Sequence, residues 1–298
     1  LRDEREQTLV VIGVGLIGGS AALALKSAGT VREVIGVGRN RSNLDDALRL
    51  GILDRAYAQH EPWQRELGNA DLVLIATPVA QCAPLFAAIA RHTRDDCVIS
   101  DAGSTKQDVV AAARASLGTR LPRFVPAHPI AGSDRSGAAS ADASLFAGKR
   151  VIVTPLPETA ADALTRAEAL WRACGARVSR LDPARHDALL AAVSHVPHVA
   201  AFALVNALAA RADASEAFEI AGQGFRDATR IAASSPEMWR DILLANRDFL
   251  LHEIDALKVE LDRARSLIAQ DEASALMAWI ARAAESRRAL DRVQDNGA

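Results

Sequence analysis

Two histidines in this sequence stand where an imidazole could move a proton. His128 lies in Ala127-His128-Pro129-Ile130-Ala131-Gly132-Ser133, just past an apolar run at 124–126, and His198 closes Ser194-His195-Val196-Pro197-His198. An imidazole titrates near neutral pH, so at the end of a strand it suits proton acceptance. A lone histidine is as often a structural hydrogen-bonding group. Ser194 and His198 are four apart, and His195 and His198 three apart, on an otherwise apolar helical stretch. They share a face that a cleft or a buried network must satisfy. His-x-x-His is also a metal spacing, but no third ligand accompanies it, and no metal is expected. A second polar group, Asp101, Ser104 and Lys106, follows the apolar run at 97–100. Downstream, Arg226 and Arg230 are four apart, a spacing that clamps a carboxylate or braces Asp227 and Asp241 as plain salt bridges.

A third group of residues carries no chemistry of its own but makes room for a cofactor. Gly13-Val14-Gly15-Leu16-Ile17-Gly18 follows an apolar run and opens an Ala/Leu-rich helix. Gly13 permits the tight turn, Gly15 lets the backbone approach a pyrophosphate, and Gly18 lets helix and strand pack closely. The helix start at Leu16 and Ile17 offers free N–H groups to the phosphates. Thr77 and Pro78 end another apolar strand on the same side. The cofactor expected is NAD(P). Where an NAD site usually carries an acidic residue to hold the ribose, this chain has Gly38 followed by Arg39. Arg39 there favours NADP or dual use, the alternative being that Arg39 and Arg41 are solvated surface charges.

These groups need a scaffold, and the pattern of the chain supplies one. Apolar runs at 8–14, 34–37, 71–76, 97–100, 124–126 and 150–153 alternate with helical stretches, which predicts a parallel sheet covered on both faces. After Asp182-Pro183 the strands stop and helices follow almost throughout. The expected architecture is α/β: a Rossmann-type dinucleotide-binding domain over 1–182 and an all-α domain over 183–298. The 298 residues are half hydrophobic and carry a net charge of −2, so no basic surface invites nucleic acid. Cys82, Cys97 and Cys174 lie far apart and read as buried thiols of a reducing compartment. The charged N-terminus runs straight into a strand, with no sign of a signal peptide, so a cytoplasmic location is expected. Residues 189–210 contain no Asp, Glu, Lys or Arg, about the span of a bilayer. Ser194, His195, Pro197, His198 and Asn206 inside it argue for a buried helix in a helical core instead.

Together these segments resemble the prephenate/arogenate (cyclohexadienyl) dehydrogenase family. The resemblance rests on Gly13-Val-Gly-Leu-Ile-Gly-Gly-Ser20, Ala76-Thr-Pro78, Asp101-Ala-Gly-Ser-Thr-Lys106 and His128-Pro-Ile-Ala-Gly132. It continues through Ser194-His-Val-Pro-His198, Gly224-Phe-Arg-Asp-Ala-Thr-Arg230 and Pro236-Glu-Met-Trp239. It implies oxidative decarboxylation of prephenate or arogenate with NAD(P)+ in tyrosine biosynthesis. His128 would take the ring-hydroxyl proton, with Ser104 orienting that hydroxyl and His128. His198, Arg230 and Ser194 would bind the substrate's polar groups, with Asp134 near the entrance and Gln223 near the substrate's side chain. The family's dimers join through the helical domain, which implies a homodimer with Trp239 near the neighbouring subunit's site. Three departures stand out: Gly38 at the ribose position, Asp134 where many members have Glu, and Gln223 in a loop that is often all glycine. Two other readings fit the scaffold. A β-hydroxy-acid dehydrogenase of this architecture would need a catalytic lysine in the helical half, where only Lys258 occurs, late in a charged helix. A non-catalytic NAD(P)-binding sensor would need no proton acceptor at all.

Overall fold

The computed structural model of the chain describes residues 7–132 and 136–295. Strand β1 (Gln7–Ile12) is apolar from Leu9 onward, and those residues alternate between two cores. Leu9 and Val11 pack into one core and Val10 and Ile12 into the other, as a strand covered on both faces requires. The first core is closed by helices α1 (Leu16–Ser27), α2 (Arg41–Arg49) and α5 (Ala161–Ala173), through Ala21, Leu25, Leu44, Ala167 and Trp171. The second is closed by α3 (Cys82–His92) and α4 (Gln107–Ser116), through Leu85, Phe86, Ile89, Val109 and Val110. All three cysteines are buried free thiols.

The main sheet has six strands in the order β3-β2-β1-β4-β5-β6, all parallel. Its other members are β2 (Val31–Gly38), β3 (Arg55–Ala58), β4 (Leu72–Ile75), β5 (Val98–Asp101) and β6 (Phe124–Val125). The strand order reverses between β1 and β4, so the turns after these two strands flank the crevice where such sheets receive ligands. Gly13 and Thr77 are in those turns.

The apolar run at 124–126 does not continue as one strand. Pro126 has no N–H to give to β5, so pairing stops at Val125. The chain then enters a second sheet, β7-β8-β9, formed by β7 (Ala127–Pro129), β8 (Arg150–Val153) and β9 (Arg177–Arg180). His128 is therefore within a strand, paired antiparallel with Ile152, rather than in a loop beyond one. Strands β3 and β9 are not among the apolar runs of the sequence. Both are sheet edges that carry arginine, Arg55 at the start of β3 and Arg177 and Arg180 at the two ends of β9, and an edge strand needs no continuous apolar pattern.

Beyond β9 the chain is helical. Asp182 caps α6 (Pro183–Leu190) by accepting from the N–H groups of Ala184 and Arg185, and Pro183 takes the first turn, where no N–H is needed. A π-helical turn, Ala191–His195, links α6 to α7 (Val196–Ala209), with the Val196 N–H bonded five residues back to Ala191. The turn follows from Pro197, whose ring would clash with the carbonyl four residues earlier in a regular α-helix. Helices α8 (Ala214–Glu219), α9 (Gln223–Thr229) and α10 (Pro236–Ala245) follow.

The apolar stretch expected to be buried in a helical core is not covered by its own chain. Only 22 % of the apolar window within Pro183–Ala209 is buried, and Val193 and Leu204 are exposed. By length and composition this helix could cross a membrane. The physical reason for its exposure is simple: α8 and α9, of 6 and 7 residues, are too short to cover a 14-residue helix.

The chain divides into two compact units, one through Arg247 and one from Asp248. The second consists of most of α11 (Arg247–Ala269) and of α12 (Ala273–Asp295), joined by a turn in which Asp271 has a φ of 52°. Within it the Trp279 indole donates to Glu260 at 2.7 Å, while Val259, Leu261, Ile268, Met277 and Ile280 are exposed.

Candidate functional site

The glycine turn is shaped by what is missing from it. Gly13 has a φ of +102°, and a Cβ there would meet the Ala76 carbonyl oxygen at 2.5 Å. A Cβ on Gly18 would stand 2.2 Å from the Gly13 carbonyl oxygen. Gly15 is different: a Cβ there would meet nothing within 4 Å, so the glycine keeps open a space that the protein does not fill. Leu16 and Ile17 begin α1, where the first N–H groups have no partner within the helix. Across the crevice, the Thr77 hydroxyl is buried and has no hydrogen-bond partner among the described residues, and Pro78 follows it. A backbone cradle with a vacant flank and an unpartnered hydroxyl fits a dinucleotide pyrophosphate. Arg39, just past β2, extends to Glu237 of α10 at 3.5 Å, with both side chains more than half exposed. The guanidinium thus follows the carboxyl end of β2, with a carboxylate beside it.

The imidazoles form the second part. His128 Nδ1 lies 2.8 Å from His186 Nε2, and His186 Nδ1 lies 2.7 Å from Asp187 Oδ1. Asp187 in turn accepts from the Lys106 and Gln107 main-chain N–H groups at the start of α4, each at 2.8 Å. Its own carbonyl accepts from Asn246, whose amide also contacts His195 Nδ1 at 3.0 Å. His195 meets the edge of Trp239, and Trp239 stacks on His198 with ring centroids 3.6 Å apart. His198 Nδ1 donates to the Ser194 carbonyl at 2.8 Å, a bond from the first turn of α7 back into the π turn. His128 and His198 thus belong to one continuous cluster, with Ser194 at its rim. Trp239, expected near a neighbouring subunit's site, is buried against His195, His198 and Phe202 of its own chain.

Beneath His128, Lys106 and Asp101 form a fully buried ion pair. Lys106 Nζ also donates to the Ala127 carbonyl at 2.7 Å, and Asp101 accepts from the Ala127 N–H at 3.1 Å. The pair therefore clamps the residue preceding His128 from both sides. Burial, with His186, Lys106 and His195 adding to it, holds the His128 imidazole well below its ordinary value of 6.5, so the ring is neutral at physiological pH. Burial likewise lowers His195 to about 4, against the opposing pull of Asp187. His198 is lowered by burial and by the Arg230 charge, partly offset by the bond to Ser194.

The remaining residues are more exposed. Asp227 takes a hydrogen bond from Gln223 at 2.7 Å and Asp241 pairs with Arg240, so neither carboxylate braces Arg226 or Arg230 among the described residues. The salt-bridge reading of that spacing is thereby excluded, and Arg230 is an exposed cation close enough to His198 to shift it. Ser104 is half-buried in the loop between β5 and α4. Asp134 lies outside the described residues. Sequence reasoning missed His186, Asp187 and Asn246. A His-Asp pair near the start of a helix reads as an ordinary solvated end, and only the near-complete burial of both side chains marks it out.

Comparison with known proteins gives a consistent result. Residues 21–180 match the family described as prephenate dehydrogenase, nucleotide-binding domain, and residues 182–282 match prephenate dehydrogenase, dimerization domain. The first match begins after the glycine turn, so the turn is separate support. A prephenate dehydrogenase of Bacillus subtilis is 35 % identical over 97 % of this chain and 77 % of its own length. A cyclohexadienyl dehydrogenase of Zymomonas mobilis is 33 % identical over 95 % of both chains. Among solved structures, prephenate dehydrogenase from A. aeolicus in complex with hydroxyphenyl propionate and NAD+ is 31 % identical. It covers 95 % of this chain and 98 % of its own, with a TM-score of 0.89.

Proposed function

The chain belongs to the prephenate dehydrogenase family, and from that premise we propose that it converts prephenate, arogenate or both to the corresponding 4-hydroxyphenyl product in tyrosine biosynthesis. The observation that carries the reading is His128: a partly accessible imidazole, kept neutral by its surroundings and held beside the dinucleotide crevice by the Lys106–Asp101 clamp. A neutral imidazole is the form that accepts a proton.

Gly13, Gly15, Gly18 and the Leu16 and Ile17 N–H groups would hold the pyrophosphate, with Thr77 and Pro78 facing it. When bound, NAD(P)+ supplies the acceptor for the hydride that leaves the ring carbon bearing the hydroxyl. His128 takes the proton of that hydroxyl, with Ser104 orienting the two groups. Loss of the ring carboxylate as carbon dioxide returns the electrons of the broken bond to the ring, and the proton on His128 passes back to the new phenol oxygen. No proton is gained or lost overall. His198, Ser194 and Arg230 bind the substrate's polar groups, Arg230 as a cation free to pair with a carboxylate. Trp239 backs His198, and Gln223 and Asp134 border the side-chain end.

The reading extends to cofactor and assembly. Gly38 and Arg39 leave room and charge for a 2′-phosphate, which favours NADP or dual use, with Glu237 as a competing partner for Arg39. The division of labour places the dinucleotide in residues 1–182 and dimerisation in 183–298, where the uncovered apolar faces of the helices are. A cytoplasmic homodimer follows from the same reading.

The test is nicotinamide reduction with prephenate or arogenate against NAD or NADP. Turnover in at least one combination, reduced about 10²- to 10⁴-fold by His128→Ala, is expected. Arg39→Ala should weaken use of NADP and spare NAD. Folded, dinucleotide-binding protein that is silent in all four combinations sinks the reaction and returns the protein to the sensor reading, and activity untouched in His128→Ala removes His128 as the proton acceptor.

A further inference from the structure

His128 is not alone with its proton. Both oxygens of Asp187 accept main-chain N–H groups at the head of α4, and its backbone carbonyl is fixed by Asn246 of the segment after α10. The carboxylate is an acceptor held rigidly in place, so the His186 nitrogen 2.7 Å from it carries the hydrogen. A neutral imidazole has one N–H. With that hydrogen on Nδ1, His186 Nε2 offers a lone pair, and the group facing it at 2.8 Å is His128 Nδ1. His128 Nδ1 must then be the donor, which leaves Nε2 bare, and among the described residues that nitrogen has no other partner.

We propose that His186 and Asp187 are positioning residues that fix His128 in the Nδ1–H tautomer and present its Nε2 as the proton acceptor. The logic is that of a carboxylate orienting a catalytic imidazole, with a second imidazole inserted between the two. Of the pair on α6 it is His186 that reaches β7, so the Asp187 carboxylate acts on His128 through the intervening imidazole. The inference rests on the role of His128 proposed above, but the tautomer can be read without any turnover.

The experiment uses the full chain labelled with 15N-histidine, in which the two ring nitrogens report which of them is protonated. The His128 signals are identified by their loss in His128→Gln. The expected spectrum has hydrogen on Nδ1 and none on Nε2. Kinetically, His186→Leu removes the acceptor and should lower kcat about 100-fold, a share of what a general base contributes. KM should stay within roughly twofold, because substrate binding is not touched. His186→Gln places its Oε1 where Nε2 stood and should recover kcat to within about tenfold of wild type. Hydrogen on Nε2 of wild-type His128 overturns the proposal, as does His186→Leu with unimpaired kcat, or Leu and Gln variants that fall equally. A protein with the expected tautomer and no turnover on any substrate leaves this inference standing and removes the reaction instead.

Discussion

The glycine turn and the histidine cluster are built in opposite ways. The turn lies within six consecutive residues, Gly13 to Gly18, and works by having no side chains: two glycines prevent collisions and a third leaves a gap. The cluster draws on β7, the head of α4, α6, the π turn and α10, and its bonds join residues 58 and 81 positions apart. It works through side chains that satisfy one another in a low-dielectric interior. In the turn, each residue acts through its own steric fit. In the cluster, removing one member strands the next, because a buried polar group without a partner is costly.

This contrast predicts where stability and function separate. The largest loss of stability should come from Lys106→Met, which leaves the Asp101 carboxylate buried and uncompensated and costs about 3–5 kcal/mol. Chemical denaturation measures it, and a loss near zero would mean the pair is not the clamp described. Next is an acid effect from His195. Its folded value of about 4 lies below the ordinary imidazole value, so at intermediate pH the unfolded chain binds more protons. The contribution is whole above the unfolded value and is lost as pH falls towards 4, about 3 kcal/mol in all. His195→Asn, which keeps an acceptor for Asn246, should flatten that part of the stability profile. Smaller still is Gly18→Ala, whose Cβ must push against the Gly13 carbonyl and should cost about 1–3 kcal/mol. Gly15→Ala should leave stability nearly unchanged while weakening dinucleotide binding, since its Cβ enters the vacant flank. Equal melting temperatures for the two alanine variants would break the distinction between glycines that pack and a glycine that makes room.

Much of the fold can be read along the chain because a parallel sheet covered on both faces needs apolar strands, and β1, β2, β4 and β5 supply them, while the apolar run of β8 belongs to the second sheet. The edges β3 and β9 escape that signal because they are short and bordered by arginine. The break at Pro126 that puts His128 into a second sheet follows from a missing N–H, yet where the chain goes next depends on β8. The same limit applies to the site. Gly13, Gly15 and Gly18 are legible because their roles depend on neighbours a few positions away, and His128 and His198 because an imidazole in an apolar setting is conspicuous. His186 and Asp187 look like any helix start until they are seen buried.

What the sequence by itself determined is whatever short-range sterics and periodicity dictate: the strand–turn–helix that receives a dinucleotide, the change from strands to helices after Asp182, and the π turn imposed by Pro197. Tertiary structure alone decided which hydrogen-bonding groups meet. The Lys106 and Gln107 N–H groups and the ring of His128 find their acceptors on α6, another element, and the direction of the bonds, set by a carboxylate that can only accept, passes from Asp187 through His186 to the ring of His128.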